Sequence, residues 1–200
     1  AQILLNHKVD EIIMRNNKIY GVRCGTKEIA GDVVLAGGYA SPHLIKPLGI
    51  NLAVQPVKGY SLTFDCATAT AIMPRYPIVD DARHIAITPF RKRIRVLGMA
   101  EFAGADTHIP PARLHHLEGF LRHLYPQLVL DNPQGWAGLR PMSADGRPFI
   151  GQTSIKGLWL NCGHGHLGWT MAAGSARLLA AQITNAVPAI NPQAFYPNRK

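Results

Sequence analysis

Leu158-Trp159-Leu160-Asn161-Cys162-Gly163-His164-Gly165-His166-Leu167-Gly168 is the stretch on which the reading of this chain turns. An apolar strand runs into glycines at 163, 165 and 168, and a final helix follows from about Trp169 to Thr184, stopping near Asn185 and Pro188. Strand, GxGxxG and helix together have the form of a dinucleotide fingerprint. A nucleotide-binding βαβ unit needs another strand after that helix and an acidic residue about 20 positions on. Here a short tail follows the helix, and Asp and Glu are absent beyond Asp145. What survives is the physics of a helix N-terminus, where glycines allow close approach and free N–H groups favour negative charge. The partner is a phosphate, a carboxylate or a flavin ring that gains charge on reduction; the alternative is a turn that only packs the last helix.

Upstream lies a second signal, Trp136-Ala137-Gly138-Leu139-Arg140-Pro141. An arginine in an apolar stretch is costly to bury without an anion, and guanidinium pairs with carboxylate through two parallel hydrogen bonds. Arg140 therefore binds a carboxylate ligand or an internal acid such as Asp145. Nearer the start, Asp32-Val33-Val34-Leu35-Ala36 is a buried strand ending in Gly37-Gly38, which lets the backbone pass close to a neighbouring group. Ser41 then caps a short helix, with Pro42 its first residue.

Residues 3–9 read as a strand in mid-fold, and residues 3–36 as short strands with turns at Asn16-Asn17 and Gly25-Thr26. Residues 54–66 and 84–102 are strand-rich, with an antiparallel pair flanking the basic turn Arg91-Lys92-Arg93. Pro110-Pro111 starts a helix whose Leu114, Leu117, Leu121 and Leu124 share one face and which Pro126 ends. Residues 136–151 read as irregular. With strands dominating the middle, the class is α/β, or mixed α+β.

Composition narrows the function. The chain has 200 residues, 47% of them hydrophobic and 16% charged, enough for one sizeable core or two small lobes. The net charge of +9 suits an anionic substrate and cofactor, anionic lipid or nucleic acid, but its densest cluster is a solvated hairpin turn, and no nucleic-acid motif accompanies it. Cys24, Cys66 and Cys162 form no disulfide framework or CxxC pair and fit a reducing compartment. His7, His84, His108, His115 and His116 match no metal signature, and the last two fall on the surface of their helix. No GxSxG elbow or paired carboxylates suggest hydrolase chemistry. No apolar run reaches the ~18 residues of a membrane span.

Four segments, taken in order, resemble the D-amino acid oxidase superfamily, and most closely the flavin-carrying small subunits of bacterial D-amino acid dehydrogenases. They are Val33-Val34-Leu35-Ala36-Gly37-Gly38-Tyr39-Ala40-Ser41; Pro56-Val57-Lys58-Gly59-Tyr60-Ser61-Leu62-Thr63; Gly138-Leu139-Arg140-Pro141-Met142 with Asp145-Gly146 and Pro148-Phe149-Ile150-Gly151; and Asn161-Cys162-Gly163-His164-Gly165-His166-Leu167-Gly168-Trp169-Thr170-Met171. The resemblance spans residues 1 to about 185. It implies a two-lobed FAD-dependent oxidoreductase with an α/β FAD-binding lobe and a substrate lobe built on a mixed sheet. Residues 1–55 would belong to the FAD lobe, 56–135 to the substrate lobe, and 136–200 would return to FAD.

By the same resemblance Val9 meets the adenine, and Gly37 and Gly38 pass near the adenosine-diphosphate part of FAD. Gly163, Gly165, His166, Leu167, Gly168, Trp169 and Thr170 lie beside the isoalloxazine, and Arg140 clamps the substrate carboxylate. The implied reaction is oxidative deamination of a D-amino acid: the Cα hydrogen leaves as hydride to FAD, and the imino acid hydrolyses to a 2-oxo acid and ammonia. Electrons pass to a respiratory-chain acceptor. Glycine, sarcosine or proline oxidation within the superfamily, or a non-catalytic remnant or partner subunit, are the rival readings. The implied location is cytoplasmic or peripheral on the inner face of the cell membrane.

The family's N-terminal βαβ unit, whose own GxGxxG holds the FAD pyrophosphate, has no counterpart in residues 1–200, and neither has the acid that holds the ribose. The sequence is accordingly read as the C-terminal part of such a protein, with an N-terminal FAD-binding segment as its partner. On this reading the 200-residue polypeptide alone purifies colourless and prone to association, because the most charged part of the cofactor lacks its backbone donors. A monomer carrying stoichiometric FAD, seen by its absorbance spectrum, would overturn the reading; yellow colour gained on adding the upstream segment is the expected result.

Overall fold

Asn16 and Asn17 decide the first hairpin. Both hold left-handed backbone, φ 52° and 59°, which a two-residue type I′ turn requires and asparagine tolerates. They join β1 (Glu11–Arg15) to β2 (Lys18–Cys24), and Gly25 (φ 59°) turns the chain into β3 (Lys27–Ala30). The remaining elements are β4 (Val33–Leu35), α1 (Ser41–Ile45), β5 (Val54–Asp65), β6 (Ile78–Asp80), β7 (Ile85–Phe90), β8 (Arg93–Glu101), α2 (Pro111–Leu124), β9 (Asp131–Ser143), β10 (Phe149–Gln152), β11 (Leu158–Cys162) and α3 (Gly168–Ile183). The structure is a computed structural model that describes residues 1–66 and 72–199. Two compact units divide the chain: Ala1–Gln55 with Arg140–Lys200, and Pro56–Leu139.

The first unit holds two three-stranded sheets, β1-β2-β3 and β10-β11-β4. β11 pairs antiparallel with β10 and parallel with β4, Leu158 opposite Val33 and Leu160 opposite Leu35. Alternation along β11 explains why it is buried on both faces. Leu158, Leu160 and Cys162 enter a core with Ile12, Ile19, Leu35, Ile45 and Phe149. Trp159 faces the other way, packed with Ile150 and with Leu178 and Leu179 of α3. Asn185, at φ 55°, takes the left-handed conformation just beyond the end of α3.

The unit Pro56–Leu139 is built on the sheet β6-β7-β8-β5-β9. Tyr60, Leu62 and Phe64 on β5, Ile85 and Ile87 on β7, and Ile94 and Val96 on β8 alternate onto one face. Leu117 and Leu121 of α2 complete that core, each fully buried, at about 2 kcal/mol apiece for the side chain. The basic turn is the expected β7–β8 hairpin, with Arg91 at φ 51°. Lys58 is buried and charged: its Nζ donates to Asp106 Oδ2 at 2.9 Å and to the His108 carbonyl at 3.1 Å.

Three local expectations change. Residues 3–9 form no strand: Asn6 turns the chain at φ 59°, and Ile3 and Leu5 stay exposed, so β-propensity finds no sheet to join among the described residues. Ser41 is the first residue of α1 rather than its cap; Ala40 stands at the cap, without a side-chain hydrogen bond. Residues 136–143 are not irregular but continue β9. β9 is an edge strand, where Pro133 and Pro141 can turn their missing N–H away from the ladder. Its glycines admit neighbours: a Cβ on Gly135 would lie 2.6 Å from Leu114 Cδ1.

The C-terminal tail is fastened by one arginine. Arg199, 8% exposed, donates from Nε and Nη2 to the two oxygens of Asp145 at 2.8 and 2.9 Å. It also donates to the carbonyls of Arg147 and Pro148 and stacks 3.9 Å from the Phe149 ring. Arg199, burial and Arg147 act on Asp145 together, and the arginine bonds win, holding its carboxyl far below the usual range. A depressed carboxylate adds stability that is full above its unfolded pKa, about 3.9, and is lost progressively as pH falls from there through its lower folded pKa. Asp145→Asn is therefore expected to cost about 1–3 kcal/mol at pH 7 and clearly less at pH 2, read from urea unfolding. An equal cost at both pH values would contradict the ion-pair account.

Candidate functional site

Parallel strands deliver their C-terminal ends to the same side of a sheet, and open α/β sheets bind ligands there. β4 and β11 are such a pair, so Gly37-Gly38 and the turn at 163–168 leave the sheet at one end. Between them in space lies the end of β9. Gly38 (φ 58°) packs on Pro141, its virtual Cβ 3.8 Å from Pro141 Cγ, and Met142 bridges His164 antiparallel. Segments far apart in sequence, residues 37–38, 140–142 and 163–168, thus meet within the first unit.

The 163–168 turn owes its shape to its glycines. Gly163 (φ 80°) and Gly165 (φ 59°) occupy left-handed backbone that L side chains rarely adopt. A Cβ on Gly165 would also stand 2.6 Å from Met142 Sδ. Residues 165–167 form a 3₁₀ turn that leads into α3 at Gly168. No side chain caps α3, and its first turn carries no acid, so its leading N–H groups favour a negative guest. Trp169, 95% exposed, and the exposed Leu167 flank that end, while His166 and Thr170 are exposed beside them.

Polar atoms are buried on β9, on β11 and in the turn itself. Ser143 Oγ, Asn161 Oδ1 and His164 Nε2 are buried and lack hydrogen-bond partners among the described residues, which is costly unless a further group or water meets them. Burial pushes the His164 imidazole down, toward its neutral form. Burial likewise pushes the Cys162 thiol up to about 11, leaving it an inert core group.

Val9 and Gly37 both line a hollow of about 470 Å³, together with Ile12, Val22, Val34 and Ala36. Its walls are apolar apart from Asp32 and exposed backbone. Gly38 stands at the Pro141 side. Arg140 is half-buried at the end of β9, and desolvation pulls its guanidinium below the ordinary range without discharging it. Asp145, the acid that the sequence offered as its internal partner, is held by Arg199 and Arg147. Sequence reasoning missed Ser143, Asn161 and Met142 at this site; small polar or apolar residues carry no signal until the β9–turn contact is known. Among the described residues no group of three or more His, Cys, Asp or Glu could hold a metal.

The residues present fit a flavin nucleotide. An uncapped helix N-terminus behind a glycine turn suits the electron-rich edge of an isoalloxazine, an apolar hollow suits an adenine, and orphaned polar atoms lie on β9, β11 and the turn. Gly165→Ala is expected to lower stability by about 1–2 kcal/mol through left-handed strain, and Met142→Ala in the same chain relieves only the contact with sulfur. Unchanged denaturant midpoints for Gly165→Ala would contradict this geometry.

A family model described as DAO, FAD dependent oxidoreductase, matches residues 1–182. Among solved structures, the glycine oxidase of Geobacillus kaustophilus superposes with a TM-score of 0.87 at 21% identity, over 96% of this chain and 52% of that one. The L-proline dehydrogenase of P. horikoshii gives 0.82 at 20%, over 95% and 52%. The glycine oxidase of Bacillus cereus ATCC 14579 gives 0.78 at 24%, over 92% and 51%. At these identities the likeness is one of fold, and the chain spans about half the length of the structures it matches.

Proposed function

The chain belongs to the FAD-dependent oxidoreductase (DAO) family, and from that premise we propose that the protein oxidises the Cα–N bond of an amino acid, with D-amino acids as its substrate class. The observation that supports this reading is the meeting of Pro141 and Met142, next in sequence to Arg140, with the Gly37-Gly38 turn and the glycine turn ahead of the uncapped α3 at one end of the β4–β11 pair. When bound, FAD would supply the acceptor for the Cα hydride, leaving an imino acid that water hydrolyses to a 2-oxo acid and ammonia. Arg140 holds the substrate carboxylate through a two-pronged bond and so fixes which face of Cα is presented. Val9 and Gly37 receive the adenosine end, Gly38 lets the backbone pass close, and Gly163, Gly165, His166, Leu167, Gly168, Trp169 and Thr170 border the isoalloxazine. The dipole of α3 favours negative charge at its N-terminus without moving any atom.

Support for D-amino acids comes from the segments Gly138-Leu139-Arg140-Pro141-Met142 and Asn161–Met171, numbered 161–171, which resemble D-amino acid dehydrogenases. Glycine or a secondary amine is the second reading, favoured by the glycine oxidases and the L-proline dehydrogenase that share the fold. A respiratory-chain acceptor, and a cytoplasmic or peripheral inner-membrane location, complete the proposal; no helix among the described residues is long and apolar enough to cross a membrane.

Arg140→Ala removes a charge-assisted bond worth about 1.5–3 kcal/mol, so kcat/KM with D-alanine should fall at least tenfold in the FAD-loaded protein. Arg140→Lys keeps the charge but loses the fork, and falls between. A panel of D-alanine, glycine and proline with an artificial electron acceptor separates the two readings. Turnover of glycine or proline far above D-alanine replaces the first reading with the second, and unchanged kinetics for Arg140→Ala removes Arg140 from the site.

A further inference from the structure

The outward side of α2 collects His115, His116, Gly119, Phe120 and His123, positions that recur at three- and four-residue spacing around one helix face. The opposite side carries the buried Leu117 and Leu121. Together with Arg83, from the turn ahead of β7, these residues line a hollow of about 420 Å³ within the unit Pro56–Leu139. Every titratable side chain in that lining is a base. Asp80 takes the Arg83 backbone N–H at 2.9 Å and Nη1 at 2.8 Å, which fixes the side chain. The guanidinium carbon stands 5.9 Å from the centre of the Phe120 ring. Glu118, the acid of α2, bonds Arg122 at 2.8 Å instead of entering the lining. A Cβ on Gly119 would meet nothing within 4 Å, so the floor between the histidines is open.

We propose that this hollow is a binding site for a small oxyanion, a phosphate- or carboxylate-bearing molecule, held by Arg83 with His115, His116 and His123. No step of the proposed oxidation uses these residues. Guanidinium matches the paired oxygens of either anion. Imidazole N–H groups donate to the same oxygens. Phe120 supplies the apolar wall, and Arg113 and Arg122 on the same helix add to the positive field, which Asp80, Asp81 and Glu118 offset. The site is open to solvent, so binding is weak and sensitive to salt. Three histidines along two helical turns are too spread for one metal ion, and no metal-holding cluster includes them among the described residues.

The test is histidine-detected NMR of the purified protein at pH 6 and constant ionic strength, titrated with inorganic phosphate and, separately, with acetate. The expected result is saturable movement of the His115, His116 and His123 signals, with His7 and His43 still. Tighter phosphate than acetate assigns a phosphate-bearing ligand, and the reverse assigns a carboxylate. Phosphate affinity should fall at least fivefold in Arg83→Gln. His116→Gln, which leaves the Asp80 contact intact, should weaken it at least twofold and shows whether an Arg83→Gln loss is merely structural. Unsaturable movement of all histidines alike, or unchanged affinity in both variants, would overturn the proposal.

Discussion

The parallel pairing of β4 with β11 is the constraint on which the rest of the first unit depends. It is only three residue pairs long, yet it sets two chain ends side by side that are more than a hundred residues apart in sequence. Because both strands run the same way, Gly37-Gly38 and the 163–168 turn emerge together. An antiparallel register would send one of them to the far end of the sheet, and α3 with it. The core beneath the pair makes the register specific: Leu35, Leu158 and Leu160 must all face Ile12, Ile19 and Ile45, and a slip of one residue would turn each of them out.

The site that results is made mostly of backbone. Glycines in left-handed conformations shape the turn, free N–H groups begin α3, and a single guanidinium offers strong charge at the end of β9. Such a site suits a reaction in which the cofactor supplies the chemistry and the protein supplies orientation and field. The nearby titratable groups are likewise passive: burial shifts the half-buried His164 toward its neutral form, and Cys162 is sealed in the core.

Much of this was legible in the sequence. The strand–glycine–helix string at 158–184, the double glycine after β4, the Asn16-Asn17 hairpin and the leucine face of α2 are local patterns, and each formed as local physics dictates. The illegible parts were set by distant partners. Residues 136–143 look irregular because they hold Gly138 and Pro141, but an edge position tolerates the proline and a close neighbour demands the glycine. Residues 3–9 have strand-like composition and no ladder to join among the described residues. Ser143 carries no signal as a single residue; only the bridge between Met142 and His164 brings it beside Gly163. Arg199, in the last turn of the chain, was invisible for the same reason, since its partner lies fifty-four positions earlier.

The central claim is that the β4–β11 pair aims the N-terminus of α3 at a flavin ring rather than at a phosphate. A crystal structure of the FAD-loaded protein measures this directly. The account predicts backbone N–H groups of residues 166–170 within hydrogen-bonding reach of the isoalloxazine, with Gly37 and Val9 toward the adenosine end. A pyrophosphate seated on that helix N-terminus instead would contradict it and would make the 163–168 turn a dinucleotide-binding loop after all.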